Sequence, residues 1–316
     1  MKCLTIILLT AGLLLGARAH AHIGDRLYPI FELTDADLAA IDLHDGSAED
    51  WLEIVGEPTM TAIEFSAQTA LEPYDPADMD FRIWLAWHDG TDRIYAAMER
   101  VDDIYVNTFD RSTHNWSASP AIMQSQDSVL NLHLDGDHSG GDYHLFPCCN
   151  SDEEVARFAG QAQPYAAIGE TRGDPFVHID IMQNLNRGYQ WGTWYTELPY
   201  ADGGGGRFGE NPIITVTEFF VTPFDRFQWD SQEETLVSQL SPGKTIGFKM
   251  TVNDRDEEES FNSTSLSLPD AETIDLTTAD DFLDGLLLGP DGAIPAAEDD
   301  TAVEGLSWGR IKASFR

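Results

Sequence analysis

The stretch that most constrains the fold is Asp80 to Arg100, "DFRIWLAWHDGTDRIYAAMER". Phe81, Ile83, Leu85 and Trp87 alternate with Arg82, Trp84, Ala86 and His88. After "HDGTD", Ile94, Ala96 and Met98 alternate with Tyr95, Ala97 and Glu99. Successive side chains of a strand point to opposite faces, so two period-two runs joined by an Asp-Gly turn predict an antiparallel hairpin. Trp84 and Tyr95 lie on the second face, so both faces are expected to be at least partly covered.

Further strands are expected along the chain. In "QDSVLNLHLDGDHSGGD" (126–142), Leu130, Leu132 and Leu134 point to one side, with Asn131, His133 and Asp135 on the other. "IITVTEFFVT" (213–222), "GKTIGFKMTVND" (243–254) and "LSWGRIKASF" (306–315) read as strands as well. Helices are few and short. One starts at Thr34, which Asp35 and Asp37 follow, and runs through Ile41; one lies near 151–159; "DSQEETLVSQL" (230–240) is a short helix capped by Asp230; "ADDFLDGLLL" (279–288) is helix-like. "DGSAEDW" reads as a turn that places Trp51. Residues 143–212 read as a long irregular insertion carrying "YQWGTWYTELPY" and "DGGGGRFG". The expectation is an all-β chain: an antiparallel β-sandwich with a long loop insertion and a few short helices, one domain over residues 22–316. Trp51, Trp84, Trp87 and Trp308 are assigned to its core.

The first 21 residues, "MKCLTIILLTAGLLLGARAHA", read as a secretory signal peptide. Lys2 precedes an apolar run too short for a comfortable membrane span, and Ala17, Ala19 and Ala21 supply small residues for cleavage. The expected destination is a periplasm or the outside medium. Eighteen Lys and Arg stand against 55 Asp and Glu, a net charge of −37. Such a surface repels nucleic acid and anionic lipid, so neither is an expected partner, and no membrane insertion is expected. It suits a salty medium, divalent cations, or both. Beyond Cys3 in the leader, the cysteines are the neighbours Cys148 and Cys149. They either close on each other or stay free, and without a Cys-x-x-Cys pair they make no zinc site.

Calcium is the cofactor the acidic loops point to. Asp135, Asp137 and Asp142, with Ser139 and three glycines, form a flexible loop of oxygen donors, although no Glu stands where an EF-hand needs one. The competing reading is a plain Asp-Gly turn. Asp102 and Asp103, at the end of the hairpin, form a second acidic pair. His133, His138 and His144 match no zinc spacing and read as solvated loop histidines. Asp254, Asp256 and Glu257 in "VNDRDEE" would be needed as a separated acid and base for glycoside hydrolysis. Consecutive acids after a strand read better as a solvated turn.

Three blocks, "FRIWLAWHDGTDRIYAAMERVDD", "QDSVLNLHLD", and "LSPGKTIGFKMTVNDRDEE" with "SWGRIKA", together resemble the carbohydrate-binding module family 9 domain. The resemblance implies a β-sandwich that binds a polysaccharide or oligosaccharide without catalysis. It also implies structural calcium near Asp102 and Asp103. The family's described sugar site clamps a ring between two Trp side chains, with a Glu after the "QDSV" segment. Here no Trp shortly precedes Asp127, the Glu position falls on Leu130 or Asn131, and "EDDTAVEGLS" lacks a Trp. Sugar binding would then use Asn131 with the inserted Tyr189, Trp191, Trp194 and Tyr195. The same insertion aromatics read equally well as pins holding the loop to the sandwich. Three function classes stand: a secreted glycan binder, an interaction module that has lost the sugar site, and a glycoside hydrolase component.

Overall fold

The computed structural model describes residues 23–70, 74–107, 127, 129–144, 149, 151–169, 179–185, 189–256, 264–269 and 277–294. The leader, Cys148 and the closing segment with Trp308 lie outside the described residues.

The predicted hairpin is present in full. Strands β4 (Met79–His88) and β5 (Arg93–Asp102) pair antiparallel in unbroken register, from Met79 opposite Asp102 to His88 opposite Arg93. In the first sheet β5 is followed by β11 (Ile213–Val221) and then by β10 (Ala201–Phe208), while β2 (Met60–Thr61) adds to β4. The second sheet runs from β16 (Leu283–Leu287) through β14 (Thr245–Asp254), β6 (Val129–Asp135), β7 (Gln163–Ile168) and β8 (Asp180–Asn184) to β9 (Tyr189–Gln190). Strands β15 (Thr264–Leu268) and β3 (Ser66–Ala70) extend it beside β14. Strand β1 (Ile23–Glu32) joins the two sheets, pairing with β16 through Tyr28–Ile30 and with β4 through Phe31 and Glu32. Both pairings are parallel, so the architecture is all-β but mixed rather than purely antiparallel.

The core lies between the sheets. Ile83, Leu85 and Trp87 of β4 meet Leu130, Leu132 and Leu134 of β6 and Phe248, Met250 and Val252 of β14 in one cluster. Trp87 also donates its indole N–H to the carbonyl of Leu288, 2.9 Å away, tying β4 to the end of β16. The second face of the hairpin is covered too. Helices α1 (Asp35–Ala40) and α2 (Glu49–Ile54) lie over it, and Trp51 packs with Trp84, Tyr95 and Phe220. Thr34 caps α1 in a reciprocal capping box with Asp37, which satisfies donors at the helix start. Trp51, Trp84 and Trp87 are fully buried, as expected of core residues. Trp51 reaches its place on a helix rather than a turn.

Other segments depart from the sequence reading. The glycine run is not a loop but strand β10, paired with β11 from Ala201–Val221 to Phe208–Ile214. The reason is close backbone approach: a Cβ on Gly204 would stand 2.4 Å from the Leu43 carbonyl oxygen. The described residues of the 143–212 segment are more regular than expected, carrying β7 to β10 and helix α3 (Asp152–Gln161). Residues 232–240 make a single 3-10 turn followed by β13 (Leu236–Val237), which pairs with β12 (Phe224–Arg226). Residues 279–281 form a 3-10 turn, and "LDGLL" is strand β16, where Leu283 and Leu287 face the core. Helix and strand compete in such short apolar runs, and here the strand wins by pairing on both sides, with β1 and β14.

Candidate functional site

Alternation decides which side chains reach the outer face of the second sheet. Because Leu130, Leu132 and Leu134 enter the core, Asn131 and His133 face outward; because Phe248, Met250 and Val252 enter it, Lys249, Thr251 and Asn253 do the same. Register sets them side by side, with Lys249 opposite His133 and Thr251 opposite Asn131. Across β7 the row continues through Ala166 to Met182, with Asn184 one pair further along β8. The strip is recessed: Asn131 is 5% exposed, Lys249 4%, Thr251 8% and Asn184 8%. Trp191 packs at one border, against Val129, Ala166, Ile168 and Met182. Tyr143 borders the other side, its hydroxyl 2.7 Å from His133 Nδ1 and its ring packed with Phe282.

The strip has a distinct electrostatic character. Burial pulls Lys249 down to about 8, with no acid contributing. Burial, helped by the Lys249 charge, holds His133 well below the ordinary imidazole value and lowers His144 to about 4. Both imidazoles are therefore neutral at physiological pH and can give or take hydrogen bonds. The histidines do not converge: His133 meets Tyr143, His138 meets Asp284 at 2.9 Å, and His144 lies 3.5 Å from the Asn184 amide nitrogen. His133 and His144 are half-buried and hydrogen-bonded, not solvated as loop histidines would be.

The insertion aromatics are divided between two places. Trp194 and Tyr195 sit in a cluster with Tyr200, Phe224 and Phe227, packed against Val155 and Ala159 of α3. Tyr195 is 1% exposed, and Trp194 donates its indole N–H to the Trp229 carbonyl at 3.0 Å. Tyr195 is covered by protein and Trp194 is half-buried beside it, and both pin the insertion. Cys149 packs on the same cluster and is disulfide-bonded. Trp191, half-buried, borders the polar strip, and Tyr189 lies in β9 opposite Asn184. Of the residues proposed for sugar from sequence, Asn131 and Trp191 are thus brought to one face.

The acids regroup more thoroughly. Asp135 accepts from the Ser139 and Gly140 amides, Asp137 accepts from Ser139, and Asp142 forms a bridge with Thr278. Asp135 and Asp137 spend their carboxylates on their own turn, while the Asp142 bridge is made by its backbone. Among the described residues, two acidic groups have oxygens within 4.8 Å of one another: Asp78–Asp254–Asp256 and Asp102–Asp127–Asp254. The second surrounds Arg100, which is fully buried and reaches Asp127 and Asp254 at 3.1 Å as well as Asp102. Its guanidinium also donates to the carbonyls of Asp127 and Asn253, at 2.9 and 2.6 Å. Asp127 of "QDSV" and Asp254 of "VND" are therefore joined in one buried clasp between the sheets, and Asp254 is no solvated turn residue. Asp78 and Asp103 lie at its edge; burial and the charges of Asp256, Asp103 and Asp102 push Asp78 up to about 6. Oxygen-only donors crowded with like charge fit a hard divalent cation, which would be held by Asp78, Asp254 and Asp256 with Asp103 beside them. Asp78 escaped the sequence reading because it stands in an ordinary-looking "PADMD" turn.

No protein-family model matches the sequence, and no curated protein matches it. Among solved structures the chain is similar to a carbohydrate binding module family 9 from Caldicellulosiruptor kristjanssonii in complex with glucose. The identity is 11% and the TM-score 0.45, over 85% of this chain and 100% of that one. A second structure from the same organism, in complex with cellotriose, matches at 12% identity and TM-score 0.44, over 89% of this chain and 100% of that one.

Proposed function

We propose that this chain is a secreted, non-catalytic saccharide-binding protein, and that the recessed strip on the second sheet receives the sugar. The observation that carries this reading is the strip itself. A sandwich face needed only for packing would be largely apolar, as the opposite outer face under α1 and α2 is, with Glu218 its buried exception. Here Asn131, Lys249 and Thr251 stand together beside the Trp191 ring. A sugar ring offers apolar C–H faces to an aromatic and hydroxyls to fixed donors and acceptors, and the strip supplies both kinds of partner. Calcium at Asp78, Asp254 and Asp256 would stiffen the junction between the sheets and take no part in binding.

The test is retention on a panel of soluble and insoluble polysaccharides, together with an assay for released reducing ends. Parent protein is expected to be retained on at least one glycan without cleaving it. Asn131→Ala and Trp191→Ala, folded by circular dichroism, are expected to lose retention. Absence of retention on every glycan would overturn the reading. One observation favours a second reading, an interaction module without a sugar site: the burial of Tyr195, with Trp194 half-buried against the same cluster.

A further inference from the structure

Lys249 is the least explained charge in the molecule. It lies in the middle of β14 on the outward face, 4% exposed, opposite His133. Among the described residues it has no hydrogen-bond or ion-pair partner. A buried ammonium without a counter-charge is costly, and a chain with 55 acidic residues has ample means to provide one. The acids nearest in register are otherwise engaged. Asp135 and Asp284 flank Gly247, one pair away along the strand. Asp135 accepts from two backbone amides, and Asp284 faces His138. Asp180 lies two pairs further along and across β7, opposite Ile168. His133 and His144, the nearest titratable groups, are neutral. Next to Lys249 stand Asn131 and Thr251, both recessed, and neither has a side-chain partner among the described residues.

Resting on the saccharide reading above, we infer that the ligand is an anionic sugar, and that Lys249 takes its ring carboxylate or sulfate ester while Asn131 and Thr251 take neighbouring hydroxyls. A single ammonium on a flexible stem suits one negative charge approached from solvent, and burial makes the pair stronger than at the surface. The net charge of −37 repels such a ligand at a distance, but at 0.15 M salt that repulsion is screened beyond about 8 Å. A recessed pair is screened less, so salt is expected to leave binding intact or tighten it.

The experiment compares four probes by calorimetry at pH 6, where the ammonium is charged. They are short oligogalacturonides, the same oligomers methyl-esterified, sulfated galactan oligosaccharides, and neutral cello-oligosaccharides. The expected result is at least about tenfold tighter binding of one charged probe than of its neutral counterpart, a discrimination that Lys249→Met and Lys249→Gln both remove. Tighter binding of the galacturonide identifies a carboxylate; tighter binding of the sulfated oligomer identifies a sulfate ester. Equal affinity for charged and neutral probes, or a preference that survives both substitutions, overturns this inference and leaves the saccharide reading standing. Failure of the parent to bind any of the four probes overturns this inference, and failure on every glycan of the wider panel overturns the saccharide reading as well.

Discussion

Glu218 offers the sharpest test of the packing between the first sheet and its helical cover. It lies in β11 on the face under Trp51, is fully buried, and accepts the Trp51 indole N–H at 2.9 Å through one carboxyl oxygen. Its other oxygen has no hydrogen-bond partner among the described residues. Burial, together with the charges of Asp50, Asp45 and Asp42, pushes Glu218 up to about 9, with the Trp51 hydrogen bond opposing. The folded protein therefore holds a proton that the unfolded chain releases near the ordinary carboxylate value. Because the folded-state value is raised, the stability it contributes is fully present below about pH 4.5 and is lost as pH rises toward 9. Between pH 6 and pH 8 the loss is about 1.4 kcal/mol per pH unit, or roughly 2.7 kcal/mol in all. For a chain of this size that is a fall of about 5 °C in Tm. Glu218→Gln keeps the acceptor oxygen for Trp51 and removes the titration. The assay is thermal unfolding of parent and variant across this range, read as the difference between their Tm values, so that other titrating groups cancel. The gap is expected to widen by about 5 °C in favour of the variant from pH 6 to pH 8. Parallel curves would show that Glu218 is not buried as a neutral acid, and the account of the Trp51 contact would fail.

Three further outcomes are expected. Arg100→Met strands Asp102, Asp127 and Asp254 without their counter-charge and should cost about 3–5 kcal/mol in urea unfolding. Gly204→Ala places a methyl against the Leu43 carbonyl and should cost about 1–3 kcal/mol, lowering the urea midpoint without changing the slope. Calcium at millimolar concentration should raise Tm at pH 7.5 and a chelator should reverse the rise, with both responses absent in the Asp78→Asn, Asp256→Asn double variant. An unchanged midpoint would reject a cation at that cluster.

The sequence by itself determined the hairpin of β4 and β5, the strands β6, β11 and β14, and the buried places of Trp51, Trp84 and Trp87. Period-two alternation is a local property, and it survives into any structure that buries one face. The same alternation is legible in "GFKMTVN", where Lys249, Thr251 and Asn253 interleave with core residues. What it could not give was which strands become neighbours. Only the tertiary structure placed Lys249 opposite His133, gathered Asp127 and Asp254 around Arg100, and buried Tyr195 in a cluster of rings. It also turned four consecutive glycines into strand β10, because their missing side chains matter only where residues 43–46 press on the sheet. Such contacts join residues distant in sequence, Arg100 and Asp254 being 154 positions apart, and their energies come from burial and charge pairing that no local pattern encodes.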